Sequence, residues 1–205
     1  MTTRPSYFFD SKFKQDLKWR EEFNIRVGSV LPKSKEQISK SLKDMSAVSI
    51  RNRFLGSKKE FSEAELEYLS NLDGTNHYAI GIEERDKPFR GIAIARMVRT
   101  VSNIPEAEVA ITIIDEYQAI GLGTFLMRMM VLAAAERSVE RLSFTFLPQN
   151  AGIFKLINKI GPVTKTSKSM DYVQYCIDLK QVNLQEIKSL LVPYLPTIDT
   201  FHLKT

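Results

Sequence analysis

The stretch from Ala107 to Met130, AEVAITIIDEYQAIGLGTFLMRMM, constrains the fold more than any other part of the chain. Apolar residues alternate in its first half, as in a strand, and a helical apolar pattern begins directly after the glycines. A helix start leaves unpaired N–H groups with partial positive charge, and glycine lets a phosphate approach them closely. Gly121 and Gly123 therefore predict a diphosphate cradle, although ordinary turn chemistry also accounts for two glycines.

Spacing excludes two well-known phosphate loops. A P-loop ends in Gly-Lys-Ser/Thr, whereas Thr124 and Phe125 follow Gly123 here. A dinucleotide fingerprint needs a third glycine where this chain has Leu126, and an acidic residue at the end of the next strand, LSFTFL, which has none. What remains is the pattern Gln-x-x-Gly-x-Gly.

The order of elements predicts a mixed sheet with helices packed on it. Strands are expected in FNIRVGSVL, in the hairpin HYAIGIEE/RGIAIARMVR, and in AEVAITII, ERLSFTFL and DYVQYCIDL. Helices are expected in KSKEQISKSLKDMS, in SAVSIRNRFLG up to Gly56, after the capping box of Ser62 and Glu65, after the glycine turn, in AGIFKLINKI, and in LQEIKSLLVPYL up to Pro193. The helix after the glycines should carry its apolar face on one side and its charges on the other: Leu122, Phe125, Leu126, Met129 and Ala133 against Arg128 and Glu136.

Composition limits the class of protein. The chain has 205 residues, 43% of them hydrophobic, which is enough for one sizeable core. The net charge of +5 is mild and the Lys and Arg residues are dispersed, so no nucleic-acid partner is predicted. A lone cysteine, Cys176, reads as a strand or core residue and fits a reducing compartment. No span of about 18 apolar residues exists, so no membrane partner and a cytoplasmic location are expected.

A resemblance enters with Gln118, Gly121 and Gly123. Together with the following strand and the Asn-led helix from Asn150 to Gly161, they resemble the acyl-CoA-binding motif of the GNAT N-acetyltransferase superfamily, over about residues 78–161. The front half, SAVSIRNRFLGSKKEFSEAELEYLSNLDGTNHYAIGI, is similar to bacterial Pat-type protein lysine acetyltransferase domains. Those domains show a Ser-x-x-Ser-x-x-x-Arg-Phe run, a Ser-x-x-Glu-Leu helix and a histidine before the first hairpin strand. This likeness covers about residues 24–161.

The resemblance implies an α/β (mixed α+β) fold, a central, mostly antiparallel twisted sheet flanked by helices. It also implies three divisions of the chain. Residues 1–22 would be an N-terminal extension, residues 23–180 the acetyltransferase domain, and residues 181–205 a C-terminal helix and tail.

Acetyl-CoA is the implied co-substrate, and no metal is expected because no Cys/His/Asp cluster has ligand spacing. Glu108 stands where Pat-type domains place their catalytic glutamate, and strand alternation puts it on one face with Ala110 and Thr112. Glu106 is its competitor, and a solvated charge is the alternative for Glu108. Asn150 matches a cofactor-contacting asparagine of relatives, or it is a helix N-cap. The expected cofactor contacts by backbone or motif are Ile113, Ile114, Gln118, Ala119, Ile120, Gly121, Leu122, Gly123 and Thr124.

The resemblance leaves one catalytic role without a residue, the general acid that protonates the CoA thiolate leaving group. Many relatives use a tyrosine in the helix after Asn150, but this helix has Phe154. Water, Tyr172 or Tyr175 could serve instead. His77 stands where Pat-type domains often have histidine, and a structural role is the simpler interpretation. No role is assigned to His202, and Trp19 is expected to pack.

The predicted function is acetyl-CoA-dependent N-acetyl transfer to an amine by direct attack, with a carboxylate as general base and a protein lysine as the acceptor. Two alternatives stay open. One is a small-molecule amine acetyltransferase. The other is a non-catalytic module that binds acyl-CoA as a sensor or binds a partner, which the missing tyrosine would favour. A homodimer also stays open.

Overall fold

The computed structural model describes residues 7–87, 90–99 and 105–201. In this part an 8-stranded sheet runs in the order β1-β2-β3-β4-β5-β6-β8-β7. The strands are β1 (Lys14–Trp19), β2 (Phe23–Ser29), β3 (His77–Glu84), β4 (Arg90–Arg99), β5 (Glu106–Ile113), β6 (Arg141–Phe146), β7 (Thr164–Lys168) and β8 (Val173–Asp178). The helices are α1 (Lys35–Ser41), α2 (Ala47–Phe54), α3 (Glu63–Ser70), α4 (Leu122–Glu136), α5 (Ala151–Ile157) and α6 (Leu184–Ser189).

The sheet is mixed and mostly antiparallel, as predicted. β5 and β6 are its parallel neighbours, and every other neighbouring pair of described strands runs antiparallel. Parallel neighbours need a crossover connection, and the glycine turn and α4 supply it. The glycine turn therefore lies at the end of β5, next to the parallel pair.

Two layers of helices cover the sheet. α4 packs on β3, β4 and β5, while α1 packs on β4 and α2 on β5. Side chains alternate along a strand, so Ala107 and Val109 of β5 enter the core beneath α4. Ala110 and Thr112 face the other side and line a cavity beneath α1 and α2.

The prediction that α4 carries its charges on the side away from the core is wrong at the C-terminal end of the helix. Glu136 is only 5% exposed and forms an ion pair at 2.7 Å with Arg137, which is 3% exposed. The Glu136 carboxylate also accepts the backbone N–H groups of Phe8 and Phe9 at 2.8 and 3.1 Å. Burial raises the pKa of Glu136, against the opposing charge of Arg137. The N-terminal segment thus docks on the domain and closes over this end of the helix.

Two strands have no counterpart in the sequence-based expectations. β1 pairs with β2 along its full length, and β7 pairs with β8. Both lie at the edges of the sheet, and the side chains of β7 are exposed throughout. Edge strands with polar sequences carry little hydrophobic alternation, so the pattern does not reveal them. The proposed domain boundaries stay predictions, with β1 as part of the sheet.

Most other elements fall where the patterns predict them. The hairpin strands β3 and β4 match the expected segments, and Ser62 caps α3 reciprocally with Glu65. α2 ends at Phe54, because Leu55 takes the left-handed conformation with φ of 57°. The helix stop is therefore Leu55 and not Gly56. Cys176 is a buried free cysteine of β8, as expected, whereas His202 lies outside the described residues.

Candidate active site

The parallel strands β5 and β6 separate partway along their length. They pair from Glu106 to Glu108 on β5 and from Arg141 to Ser143 on β6, but β5 continues to Ile113 and β6 to Phe146. Beyond Glu108 the backbone of β5 therefore has β4 on one side and, among the described residues, no paired strand but a gap on the other. Such a gap can accept an extended ligand that pairs with the strand edge.

Ile113 and Ile114 differ in which way their backbone groups point. The N–H of Ile114 donates to the carbonyl of Ile92 on the β4 side at 3.0 Å. Hydrogen-bonding direction alternates along an antiparallel pair, so Ile113 faces the gap. Its carbonyl already accepts from Gln118 Nε2 at 2.9 Å. Of the two expected backbone contacts, Ile113 has the suitable direction. Ile114 has neither group free, because its carbonyl accepts the N–H of Tyr117 at 3.0 Å.

The glycine turn is a cluster of unpaired donors. Ala119 and Gly121 both have positive φ, 60° and 97°, which is the alternation that forms an anion-binding concavity of N–H groups. Gly121 is the N-cap of α4 and no side chain caps this helix. In the described part of the chain, the backbone N–H groups from Ala119 through Ile120, Gly121, Leu122 and Gly123 to Thr124 pair with no acceptor.

Close packing favours glycine at position 123, and backbone conformation favours it at position 121. A Cβ on Gly123 would lie 3.3 Å from Ile113 Cδ1 and 3.5 Å from a methyl of Leu156. A Cβ on Gly121 would lie 3.4 Å from the ring of Trp19, in a backbone conformation that favours glycine. Trp19 is buried, packs against Phe125 with tilted rings and donates Nε1–H to the carbonyl of Ile120 at 3.0 Å. Trp19 therefore packs in the core, as expected, and also holds the glycine turn in place through this hydrogen bond.

Asn150 opens α5 as its N-cap. Its Oδ1 accepts from the backbone N–H of Ile153 at 3.3 Å. The side-chain amide group has no acceptor among the described residues, so it can still donate to a ligand.

Glu108 and Glu106 share a face of β5 but differ in environment. Glu108 is exposed, and its charge acts on the guanidinium of Arg53. Glu106 has a side chain that is 17% exposed and pairs with Arg141 at 3.5 Å. Glu108 is therefore the carboxylate that is open to a substrate at the point where β5 and β6 separate.

Helix α2 is tied to the end of β5 by residues that the sequence reasoning did not assign. Ser46 donates its backbone N–H and its hydroxyl to Asp115, at 2.8 and 2.7 Å, and Ser49 donates to the same carboxylate at 2.9 Å. Gln118 Nε2 donates to Ser49 Oγ at 3.0 Å. Burial raises the pKa of Asp115, but the hydrogen bonds from Ser46 and Ser49 outweigh burial, and the pKa is lowered. The Ser-x-x-Ser-x-x-x-Arg spacing was the available signal, since it places three residues on one helix face.

His77 has a structural environment. It is 9% exposed, and its Nε2 lies 2.5 Å from Arg96 Nη1. The ring of Tyr68 packs against it at 4.6 Å. Burial, followed by the charge of Arg96, lowers the pKa of His77 to about 4. His77 is thus neutral near pH 7 and can accept the arginine hydrogen.

The two tyrosine candidates occupy different places. The ring of Tyr175 lies 5.1 Å from that of Phe154 in α5, and it stacks on Phe146 at 5.6 Å. Tyr172 is 39% exposed near the turn between β7 and β8. Tyr175 therefore lies beside α5, the helix in which the sequence resemblance leads us to expect a tyrosine.

A cavity of about 760 Å³ opens beneath α1 and α2, within the usual range for a small-molecule site. Its floor at β5 is made by Ala110 and Thr112, the residues that follow Glu108 on the same face. Its lining from α2 includes Arg53 and Phe54. The gap side and the cavity side of β5 could thus hold two different reactants.

No group of acidic, histidine or cysteine side chains with metal-binding geometry occurs within residues 7–87, 90–99 and 105–201. The same ranges contain no helix that is long and apolar enough to cross a bilayer.

Comparison with known proteins agrees with the fold. No protein-family model matches the chain. Acetyltransferase Pat of Mycolicibacterium smegmatis is 33% identical over 135 residues, which is 65% of this chain and 40% of the relative. The GNAT domain of S. lividans PAT superposes with a TM-score of 0.71 at 20% identity, covering 80% of this chain and 96% of that domain.

The chain therefore has the GNAT fold, and over 135 residues its sequence is similar to a Pat acetyltransferase. A more distant solved structure, spermidine N-acetyltransferase from Vibrio cholerae in complex with CoA and spermine, shares the fold with a TM-score of 0.61 at 13% identity. The superposition covers 77% of this chain and 96% of the Vibrio cholerae chain. Because the chain spans less than half the length of the mycobacterial relative, the activity of that whole protein is not assigned to this chain.

Proposed function

We propose that the protein is an acetyl-CoA-dependent N-acetyltransferase. The observation that carries this proposal is the row of backbone N–H groups from Ala119 to Thr124 that have no acceptor among the described residues. They lie at the end of β5, whose edge is unpaired beyond Glu108 in the same part of the chain. The N–H groups would bind the diphosphate of acetyl-CoA, together with the positive end of α4. The pantetheine arm would pass along the edge of β5 at Ile113, and Asn150 would donate to it.

The reaction needs one proton acceptor and one proton donor. The amine nitrogen attacks the thioester carbonyl carbon, the C–N bond forms, and the C–S bond breaks to release CoA thiolate. Glu108 would take the proton from the amine, directly or through a water molecule. Tyr175 or water would return a proton to the thiolate sulfur.

The acceptor divides the proposal into two candidates. Similarity to Pat-type domains supports a protein lysine. The cavity of about 760 Å³ beside Glu108 favours a small amine, because an acceptor lysine on a folded protein needs only a shallow groove.

Calorimetric titration with acetyl-CoA tests the donor site. The variant is Gly123→Glu, which places a carboxylate in the concavity where a diphosphate would bind. Gly56→Glu is the matched control, since a side chain there meets only one backbone oxygen at 4.0 Å. Saturable binding to the wild type and the control, weakened roughly 100-fold or more in Gly123→Glu, is expected from charge repulsion in a partly buried site. Absence of binding to the wild type would overturn the proposal.

Retained binding without acetyl transfer to any amine would instead support the sensor alternative. The rate of acetyl transfer separates the two functions, because Glu108→Gln leaves acetyl-CoA binding unchanged under both and lowers a rate only in a transferase.

A further inference from the structure

Arg53 projects from α2 into the cavity beside Glu108. Its Nε–H donates to Thr112 Oγ1 at 2.9 Å. Among the described residues no acceptor lies within hydrogen-bonding distance of its two terminal nitrogens, and no carboxylate lies within ion-pair distance. A guanidinium held at one nitrogen leaves a planar fork of donors free for a ligand.

A second guanidinium lies on the floor of the same cavity. Arg96 of β4 is 6% exposed and stands opposite Ala110 in the sheet register. Its terminal nitrogens reach His77 Nε2 at 2.5 Å and the carbonyl of Leu69 at 2.7 Å. Both partners are uncharged, so these hydrogen bonds fix the side chain without neutralising it.

The two arginines affect each other. Burial, followed by the charge of Arg53, lowers the pKa of Arg96 to about 10. Burial likewise lowers the pKa of Arg53, against the charge of Glu108. Two cations placed together in a partly buried cavity are unfavourable unless an anion lies near them. The exposed carboxylate of Glu108 compensates only one of the two charges.

The rest of the cavity adds positive charge and apolar wall. Lys12, Lys14 and Lys33 line its outer part, and in the described part of the chain none of them has a carboxylate within ion-pair distance. Phe54 and Phe61 line it as well. Glu83 and Glu84 also line the cavity, but both are paired: Glu83 with Arg26 and Arg85, and Glu84 with Lys87 and Arg90, each at 3.5 Å. Because cations remain in excess, a cavity with these low-dielectric walls concentrates negatively charged ligands.

We propose that the acceptor is a small amine that also carries an anionic group, a carboxylate or a phosphate, and that the free fork of Arg53 binds this anion. This inference rests on the proposed transferase function, because it places the reacting amine at Glu108. Arg96 acts as a positioning residue, since its field favours the anion while its own donors remain on His77 and Leu69. A bidentate guanidinium contact would also fix the direction in which the amine points.

The test is direct binding to the wild-type protein with CoA bound, measured by calorimetry. The probes are ε-aminocaproate, the aminoalkyl phosphonate of matching length, and the neutral ε-aminocaproamide as the isosteric control. Either anionic probe should bind at least about tenfold more tightly than the amide, as expected for a charge-assisted hydrogen-bonded pair. A preference for the carboxylate or for the phosphonate then identifies the group.

Two variants locate the site. Arg53→Gln should remove the preference, and Arg53→Lys should keep part of it, because lysine retains the charge without the fork. Arg51→Gln is the matched control, since Arg51 is an exposed residue of the same helix, and it should bind like the wild type.

Equal affinity for the anionic probes and the amide would overturn the inference. Preferential binding that survives in Arg53→Gln would overturn it too, as would binding of an acidic lysine peptide when neither small anion binds. In all these cases acetyl-CoA binding would still support the transferase. Loss of acetyl-CoA binding by the wild type would instead be a failure of the proposed function itself.

Discussion

The two sides of β5 present different kinds of chemistry. On the α4 side, the glycine turn offers backbone N–H groups from six consecutive residues, Ala119 to Thr124, and needs no charged side chain. On the α2 side, the cavity presents the guanidinium groups of Arg53 from α2 and Arg96 from β4, and the charge of Glu108 from β5 acts on Arg53. The first region is local in sequence, and the second exists only because distant segments pack together.

This difference teaches how substitutions should act. A site built from backbone N–H groups changes only when a substitution moves the backbone or places a large side chain in the site. Most side-chain replacements in the turn are therefore expected to have mild effects on binding. In a site built from side chains, each substitution removes the specific interaction that its side chain makes. We therefore expect substitutions on the cavity side to separate catalysis from acetyl-CoA binding, and substitutions that move the turn to change binding first.

The largest expected effect belongs to Glu108→Gln, which keeps the shape of the side chain but removes the base. We expect kcat to fall roughly 100-fold or more, with the Kd for acetyl-CoA unchanged. Steady-state kinetics and calorimetry measure the two quantities. Glu106→Gln is the matched control, and it should have a much smaller effect on kcat because Glu106 pairs with Arg141. A larger loss in the control would reverse the assignment of the two carboxylates.

Asp115→Asn tests whether the α2 anchor holds the glycine turn. The substitution weakens three hydrogen bonds from Ser46 and Ser49, which are charge-assisted in the native protein. The Kd for acetyl-CoA should rise about tenfold, because loss of such contacts costs on the order of 1–2 kcal/mol. The exposed Asp171 supplies the control substitution Asp171→Asn. An unchanged Kd in Asp115→Asn would mean that the turn keeps its geometry without α2.

Tyr175→Phe tests the proton donor to CoA thiolate. A fall in kcat of about tenfold is expected, since CoA thiolate is a weaker base than an alkoxide and leaves with modest assistance. Tyr172→Phe is the paired substitution, and it should be close to wild type because Tyr172 lies near the hairpin turn. Equal rates for both variants would leave water as the donor.

The smallest expected effect is on the pH dependence of stability, and it comes from His77, which contacts Arg96. His77 has a pKa of about 4 in the folded protein, against an ordinary value of 6.5. Between these values the unfolded chain binds a proton that the folded protein does not, so the free energy of unfolding falls as pH drops from about 6.5 towards 4. His77→Asn should remove about 1–2 kcal/mol of this pH dependence. Urea unfolding of both proteins at neutral and acidic pH gives the difference, and parallel curves would contradict the shift.

How far sequence patterns reach depends on the residue. Gly121 and Gly123 could be assigned because a turn needs residues adjacent in the chain. Glu136 was placed wrongly, because a helical wheel assumes that the charged side faces water, whereas the N-terminal segment covers it here. Arg96 could not be assigned at all, since its position inside a strand gives no sign that His77 and Leu69 hold it.

The sequence by itself determined the order of elements around the glycine turn, the mixed sheet, and the GNAT resemblance, because each depends on short-range periodicity or on spacing within one segment. Only the tertiary structure decided which atoms are free. The separation of β5 from β6, the unpaired N–H groups, and the free donors of Arg53 all depend on what neighbouring segments do or do not supply. Hydrogen-bond partners and burial are properties of packing between segments far apart in the chain, so no local pattern encodes them.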